Sequence, residues 1–377
     1  MSARELVVFS HLPWDFVWQR PQHLVSRLAR DRDTWFVEEP RVAGVTAPRL
    51  RVERADPVTR VWLDVPGPDR PIGFADPGAA QYPAAVAELF DGDGAGRIAW
   101  LYSPLALPCA AGVPHELLVF DVMDDLSAFK GASPAMRAAE QRALSRADLV
   151  FTGGRSIDAG VRGRSEAPVH LFPSGVEPQH FERARALRRP HARPVAGYVG
   201  VVDERIDLEL LAELASRLPD WEIELVGPVF KIAPGDLPQA PNLHPRGMQP
   251  YARLPAILAG FDVAIMPFAL NEATRSISPT KTLEFLAAGL PVVSTAVPDV
   301  VAEFGEVVDV QDDAEGFAAA CRALRHHDLA ARDALLAPLM HERRWDTIAA
   351  RMERLIERSA LDRELERELD AAPERAS

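Results

Sequence analysis

Residues 278–295 read SPTKTLEFLAAGLPVVST. Ser278 is a good N-cap, and Pro279 suits the first helical position, where its missing N–H would have no partner anyway. Gly289 fits the position just past a helix, and Pro291 blocks continuation. The stretch therefore predicts a helix over 279–288 and a strand over 292–294, a repeating unit of parallel α/β sheets. A helix start presents unpaired N–H groups and partial positive charge. Lys281 stands in that first turn, where its own charge opposes the dipole. A bound anion removes the conflict, and a diphosphate held by Ser278, Thr280 and Lys281 is the natural candidate. Glu284 follows Lys281 by three residues and shares its helix face, placed to accept hydrogen bonds from a ribose diol. The bland alternative is a surface ion pair between the two. The lysine is unusual here: the chain has only Lys130, Lys231 and Lys281 against 39 arginines.

The same alternation extends in both directions. Strands are expected at 6–9, 35–38, 61–65, 98–102, 117–121 and 149–152, with helices at 21–30, 79–90 and 134–146 between them. Residues 172–194 are polar, proline-containing and arginine-rich, and read as a linker. A second series follows, with strands at 195–199, 223–226, 263–266, 292–294 and 307–310 and helices at 207–217, 251–259, 279–288 and 315–325. The expected fold is α/β: two tandem Rossmann-like, doubly wound parallel-sheet domains facing a cleft. The expected divisions are 1–185, 186–340 and 341–377, the last a helix packing back on the first domain and then a charged, fraying tail. Ligands of such sheets bind beyond the carboxyl ends of the strands, so the loops after strands carry the chemistry.

Composition narrows the field. The chain has 377 residues, 47% of them apolar and 26% charged, as in an ordinary globular protein of two domains. No apolar run approaches the ~18–20 residues of a membrane span. The opening MSARELVVFS reads as a first strand, with no export signal. Cys109 and Cys321 make no metal spacing, and a reduced, cytoplasmic protein is expected. A net charge of −13 argues against nucleic-acid binding. Arg183, Arg185, Arg188, Arg189 and Arg193 cluster against Glu182, as a solvated linker or as a peripheral contact to an anionic membrane surface. The glycine-rich run at 92–96 precedes a strand and reads as a surface loop.

Three loops of the first half hold candidate groups. Residues 10–24, SHLPWDFVWQRPQHL, bring His11, Trp14, Asp15, Trp18 and Arg20 beyond the first strand. Aromatic faces suit sugar rings, and the alternative is that both tryptophans plug the sheet edge. Residues 117–131, LLVFDVMDDLSAFKG, place Asp121 and Asp124 where a general base would stand, or where Asp125 would cap a helix. Gly175 is expected at a positive-φ turn near the cleft floor. In the second half, Gly197 and Gly200 are spaced G-x-x-G, unlike the dinucleotide fingerprint. Asp207 reads as an N-cap, Tyr251 as a base-stacking ring or a helix start, and Asn271 as a partner for sugar hydroxyls.

The 278–295 segment resembles the donor-site signature of two-domain GT-B glycosyltransferases of the family 4 type, especially those of bacterial exopolysaccharide and teichuronic acid synthesis. The resemblance runs from about residue 6 to 345. It implies a transfer of sugar from a nucleoside diphosphate sugar, a UDP-sugar being expected, to a hydroxyl of a glycan or lipid-linked acceptor. Neither a cofactor nor a metal is implied. Glu284 matches the ribose-binding glutamate, while the family's usual second glutamate falls at Ser276, with Glu272 four residues back. Gly200 and Arg205 match the glycine loop and basic residue at the diphosphate, and Gly247, Met248 and Leu254 match the stretch holding the base. Asp124, His11 and Lys281 are the expected catalytic groups, and Trp14, Asp15, Trp18, Arg20 and Asp121 the acceptor side. A UDP-sugar 2-epimerase and a non-catalytic nucleotide-sugar-binding partner are the alternatives.

Overall fold

Strict alternation along the first strand sends Val7 and Phe9 into one core and Leu6 and Val8 into another, so both faces of its sheet are covered. The computed structural model describes residues 4–129, 132, 134–230, 232–278, 280–326 and 329–371. The expectations for Lys130, Lys231, Pro279 and the terminal tail lie outside those residues. The first sheet contains β1 Glu5–Ser10, β2 Thr34–Glu38, β3 Arg41–Val42, β4 Arg49–Ala55, β5 Val58–Val65, β6 Arg97–Leu101, β7 Leu117–Val122, β8 Leu149–Thr152 and β9 Val169–Leu171. Its order is β3-β5-β2-β1-β6-β7-β8-β9, parallel throughout except that β4 runs antiparallel along β5. The second sheet contains β10 Val195–Val199, β11 Glu222–Val226, β12 Leu243–Gly247, β13 Val263–Met266, β14 Val292–Ser294 and β15 Asp309–Val310. Its order is β12-β11-β10-β13-β14-β15, all parallel.

Each sheet reverses its strand order beside its first strand, β1 in one and β10 in the other. Such a switch point opens a crevice at the strands' carboxyl ends. The loops after β1 and β10 therefore face each other.

The segment read as a linker holds a helix, Pro178–Leu187. Its Phe181 and Ala184 belong to the second domain's core, and the division expected at 185–186 falls inside it. The arginines masked this helix in the sequence, because Arg183 and Arg185 alternate with its alanines and break up the apolar face. The chain crosses between domains near 173–177 and returns near 343–345. The two crossings pair: Val176 N–H donates to Arg343 O at 2.8 Å and Trp345 N–H to Val176 O at 3.2 Å. Gly175 lies in this pairing with no positive φ, contrary to expectation. It is glycine for closeness instead, since a Cβ would lie 2.8 Å from Arg343 O and from the Trp345 ring.

The C-terminal helix Trp345–Ala371 packs back on the first sheet through Trp345, Ile348, Ala349, Met352 and Ile356. Its charged flank is tied down by Arg4–Glu357, Arg32–Glu353 and Arg363–Asp148 ion pairs.

Candidate active site

The helix predicted over 279–288 spans Thr280–Ala287, and Gly289 follows with φ +74°. Its start opens on a cavity of about 670 Å³ between the two sheets' carboxyl ends. Ser278, Thr280 and Lys281 line it. Ser278 is pinned from the first domain, its carbonyl accepting from Ser174 Oγ at 3.2 Å. Lys281 Nζ donates to Glu284 Oε2 at 2.7 Å. Glu284 stands behind the lysine, 2% exposed and off the cavity wall. Burial raises its pKa, and the Lys281 charge opposes that shift. The pair is thus neither a bland surface bridge nor an open ribose site, since the lysine stands between the carboxylate and the cavity.

The loop after β10 brings Gly200 and Arg205 to the same wall. Gly227, after β11, approaches so closely that a Cβ on it would lie 1.8 Å from Gly200 O. Backbone alone fits there, which keeps the wall open for a ligand. Arg205 is not a free cation. Its Nε and Nη2 hold Asp203 at 2.9 and 2.7 Å, and its guanidinium lies 5.5 Å from the Phe129 ring. Burial works against its charge, but Asp203 and the more distant Asp124 raise its pKa overall. Asp207 caps the next helix, accepting from Leu210 N at 2.9 Å.

Tyr251, Met248 and Leu254 also line the cavity, whereas Gly247 at the end of β12 does not. The Tyr251 ring lies against Trp18 (5.6 Å), His180 (4.5 Å), His23 and Phe181, so protein already occupies the surroundings a base would need. It begins a short 3₁₀ turn, and its hydroxyl donates to Glu177 at 2.7 Å. Burial and the charges of Glu284 and Glu177 push its pKa far up.

The first domain contributes Asp15, Trp18, Arg20 and Asp124 to the wall. Trp18 is 37% exposed there. Asp15 pairs with Arg60 at 3.0 Å. Arg20 does not reach out: it grips Asp121 through Nε and Nη2 at 3.0 and 2.9 Å, both side chains almost fully buried. Asp121 is therefore a structural counter-ion off the wall rather than a base. Asp125 caps its own turn by accepting from Ser127 N at 3.1 Å, so of Asp121, Asp124 and Asp125 it is Asp124 that lines the cleft, as Asp15 also does.

Three further expectations move. His11 lies off the wall. Trp14 packs edge-on against Phe36 at 5.1 Å, within the first domain's core. Asn271 caps the turn Glu272–Arg275, accepting from Thr274 N at 3.2 Å, and does not line the cavity. Glu272 is two-thirds exposed, paired with Arg275 and off the cavity wall. Sequence reasoning missed Asp203, Glu177 and His180. Only Asp203 had a local signal, its spacing of two from Arg205.

Among the described residues no group of three or more His, Cys, Asp or Glu is set to hold a metal, and no helix is long and apolar enough to cross a membrane.

Two facing Rossmann-like domains with this cleft define a GT-B fold. Solved structures agree across the chain: sucrose-phosphate synthase of Thermosynechococcus elongatus (TM-score 0.70, 16% identity, 94% of this chain and 98% of that one) and a UDP-forming trehalose-phosphate synthase of Burkholderia xenovorans (0.66, 16%, 94% and 99%). Residues 193–327, in the second half of the chain, match the family model described as glycosyl transferases group 1. A relative from Bacillus subtilis, named teichuronic acid biosynthesis glycosyltransferase TuaH, is 28% identical over 175 residues, 43% of this chain and 44% of that protein. The 2-deoxystreptamine N-acetyl-D-glucosaminyltransferase of Streptomyces fradiae is 31% identical over 185 residues, 42% of each. The matches thus span less than half the length of either relative.

Proposed function

We propose that the chain is a glycosyltransferase that moves a sugar, a hexosyl unit, from a nucleoside diphosphate sugar to an acceptor hydroxyl in polysaccharide or glycoconjugate synthesis. The observation that carries the reading is Lys281 at the start of a helix opening on the cleft, paired to the buried Glu284, inside the family-matched segment. UDP-sugars are the proposed donors, supported by the UDP-forming synthase among its structural neighbours. The relatives lend no support to the 2-epimerase alternative.

In this reading the acceptor oxygen bonds to the anomeric carbon as the bond to the diphosphate oxygen breaks. Charge grows on the departing diphosphate. The helix start, Lys281 and Arg205 stabilise it, in the place where other enzymes use a metal. Asp124 faces the cleft and would take the acceptor proton. Trp18 offers an exposed face to a sugar ring of a glycan or lipid-linked acceptor. Peripheral contact with an anionic membrane belongs to the same proposal. Arg185 and Arg193 are already paired with Asp333 and Glu222, so sedimentation with anionic vesicles tests whether the remaining arginines suffice.

The test is UDP release from UDP-glucose and UDP-N-acetylglucosamine with a panel of glycan acceptors. Lys281→Ala is expected to lower turnover about a hundredfold with its circular dichroism unchanged, the usual cost of deleting one charge-stabilising donor. Full activity in that variant would remove the leaving-group role.

A further inference from the structure

One carboxylate bridges the two domains beside the donor helix. Asp299, 2% exposed, lies in the first turn of the second-domain helix Pro298–Phe304. Among the described residues its hydrogen-bond donors all belong to the first domain. Arg155 N–H and Ser156 N–H donate to it at 2.9 and 3.1 Å, and Ser156 Oγ at 2.5 Å. These groups form the N-terminus of the helix Arg155–Arg162, whose positive end favours a carboxylate. One turn further along its own helix, Glu303 reaches Arg155 Nε at 3.2 Å and Arg343 Nη2 at 2.7 Å. Arg343 belongs to the returning interdomain crossing. Two acids at i and i+4 on one helix therefore grip the first domain and its hinge together.

The contact reaches the candidate active site through Gly154. A Cβ there would lie 2.6 Å from Asp299 Oδ2 and 2.9 Å from Ser278 Cβ. The first-domain loop is thus clamped between the Asp299 carboxylate and Ser278, two residues before the donor helix.

We propose that Asp299 is a positioning residue: an interdomain latch that holds the two domains closed and thereby sets the start of the donor helix against the cleft. The donor part of this rests on the function proposed above. Opening the cleft exposes Arg155 N–H, Ser156 N–H and a lone carboxylate to water, and closing restores their bonds. Nucleotide binding and latch closure then favour each other.

The test compares wild type, Asp299→Ala and Asp299→Asn, each checked for folding by circular dichroism. Small-angle scattering measures the radius of gyration with and without UDP, and calorimetry measures the UDP dissociation constant. Asp299→Ala should have a larger radius than wild type without UDP and regain the wild-type value when saturated. Its dissociation constant should rise about tenfold, as expected if the closed fraction falls to about a tenth. Asp299→Asn keeps an acceptor for Ser156 and should recover most of the affinity. A lower melting temperature with radius and affinity both unchanged would mark Asp299 as an ordinary packing residue and overturn the proposal. If Asp299→Ala does not fold, Ser156→Ala must weaken UDP binding and enlarge the radius without UDP, and failure to do so overturns it. If wild type binds no nucleotide, the proposed donor site falls instead. The radius of the Asp299 variants then decides the latch alone, an unchanged radius overturning it.

Discussion

Asp121 follows the hydrophobic run of β7, the position where a sequence reader looks for a base, yet its carboxylate is taken up by Arg20. Both are buried, and removing one partner strands the other charge. Asp121→Asn is therefore expected to destabilise the protein by about 3–5 kcal/mol, measured by denaturant unfolding. Activity lost without stability would instead make Asp121 catalytic. Lys281 was legible because lysine is rare here and its place opposes a helix dipole. For Tyr251 the helix-start alternative is the one the structure shows, and the cap made by Asn271 was not legible, because sequence does not show which partners a side chain already has. His23 is a related case. It is 1% exposed, stacked on Trp345 at 5.0 Å, and burial with the charges of Arg27 and Lys281 holds its pKa well below 6.5. The folded state keeps it neutral, while the unfolded chain binds a proton as pH falls below that value. Its contribution is therefore present above the ordinary pKa and lost on acidification. His23→Phe keeps a ring against Trp345 and should lessen the drop in melting temperature between about pH 7 and pH 5. An unchanged drop would place the acid sensitivity elsewhere.

At the scale of elements, the end of the donor helix was readable because its stop signals, Gly289 and Pro291, are local chemistry. The helix Pro178–Leu187 was hidden because its burial depends on a distant domain, not on its own pattern. β4, RLRVERA, was missed for a similar reason: it is half-exposed and held by pairing with β5. The loops after β10 and β11 depend on each other at Gly200 and Gly227. Gly227→Ala combines a φ of +149° with a Cβ 1.8 Å from Gly200 O. The substitution should cost more than about 1 kcal/mol and weaken nucleotide binding together. A variant with unchanged stability and affinity would show that the loop relaxes freely.

For the whole molecule, the tandem parallel sheets and the returning C-terminal helix were legible, since strand–helix alternation is a property of long stretches. The interdomain details were not. Crossings, the latch at Asp299 and the Glu177–Tyr251 bond all join residues remote in sequence. The helix Trp345–Ala371 supplies one side of the first domain's second core. A chain ending at residue 344 should expose Leu24, Val25 and Phe36 to water, and loss of cooperative melting of the first domain is the expected readout.

Sugar transfer by this chain requires a nucleotide to enter at the helix Thr280–Ala287. Thermal shift with UDP, GDP, ADP, TDP and CDP, on wild type and on Glu284→Ala, asks this most directly. A ligand at a hundred times its dissociation constant adds about 2.7 kcal/mol of stability. The expected outcome is a rise with UDP that the variant loses. A wild type that responds to none of the five, or a variant that responds as strongly as wild type, would contradict a donor site at Lys281 and Glu284.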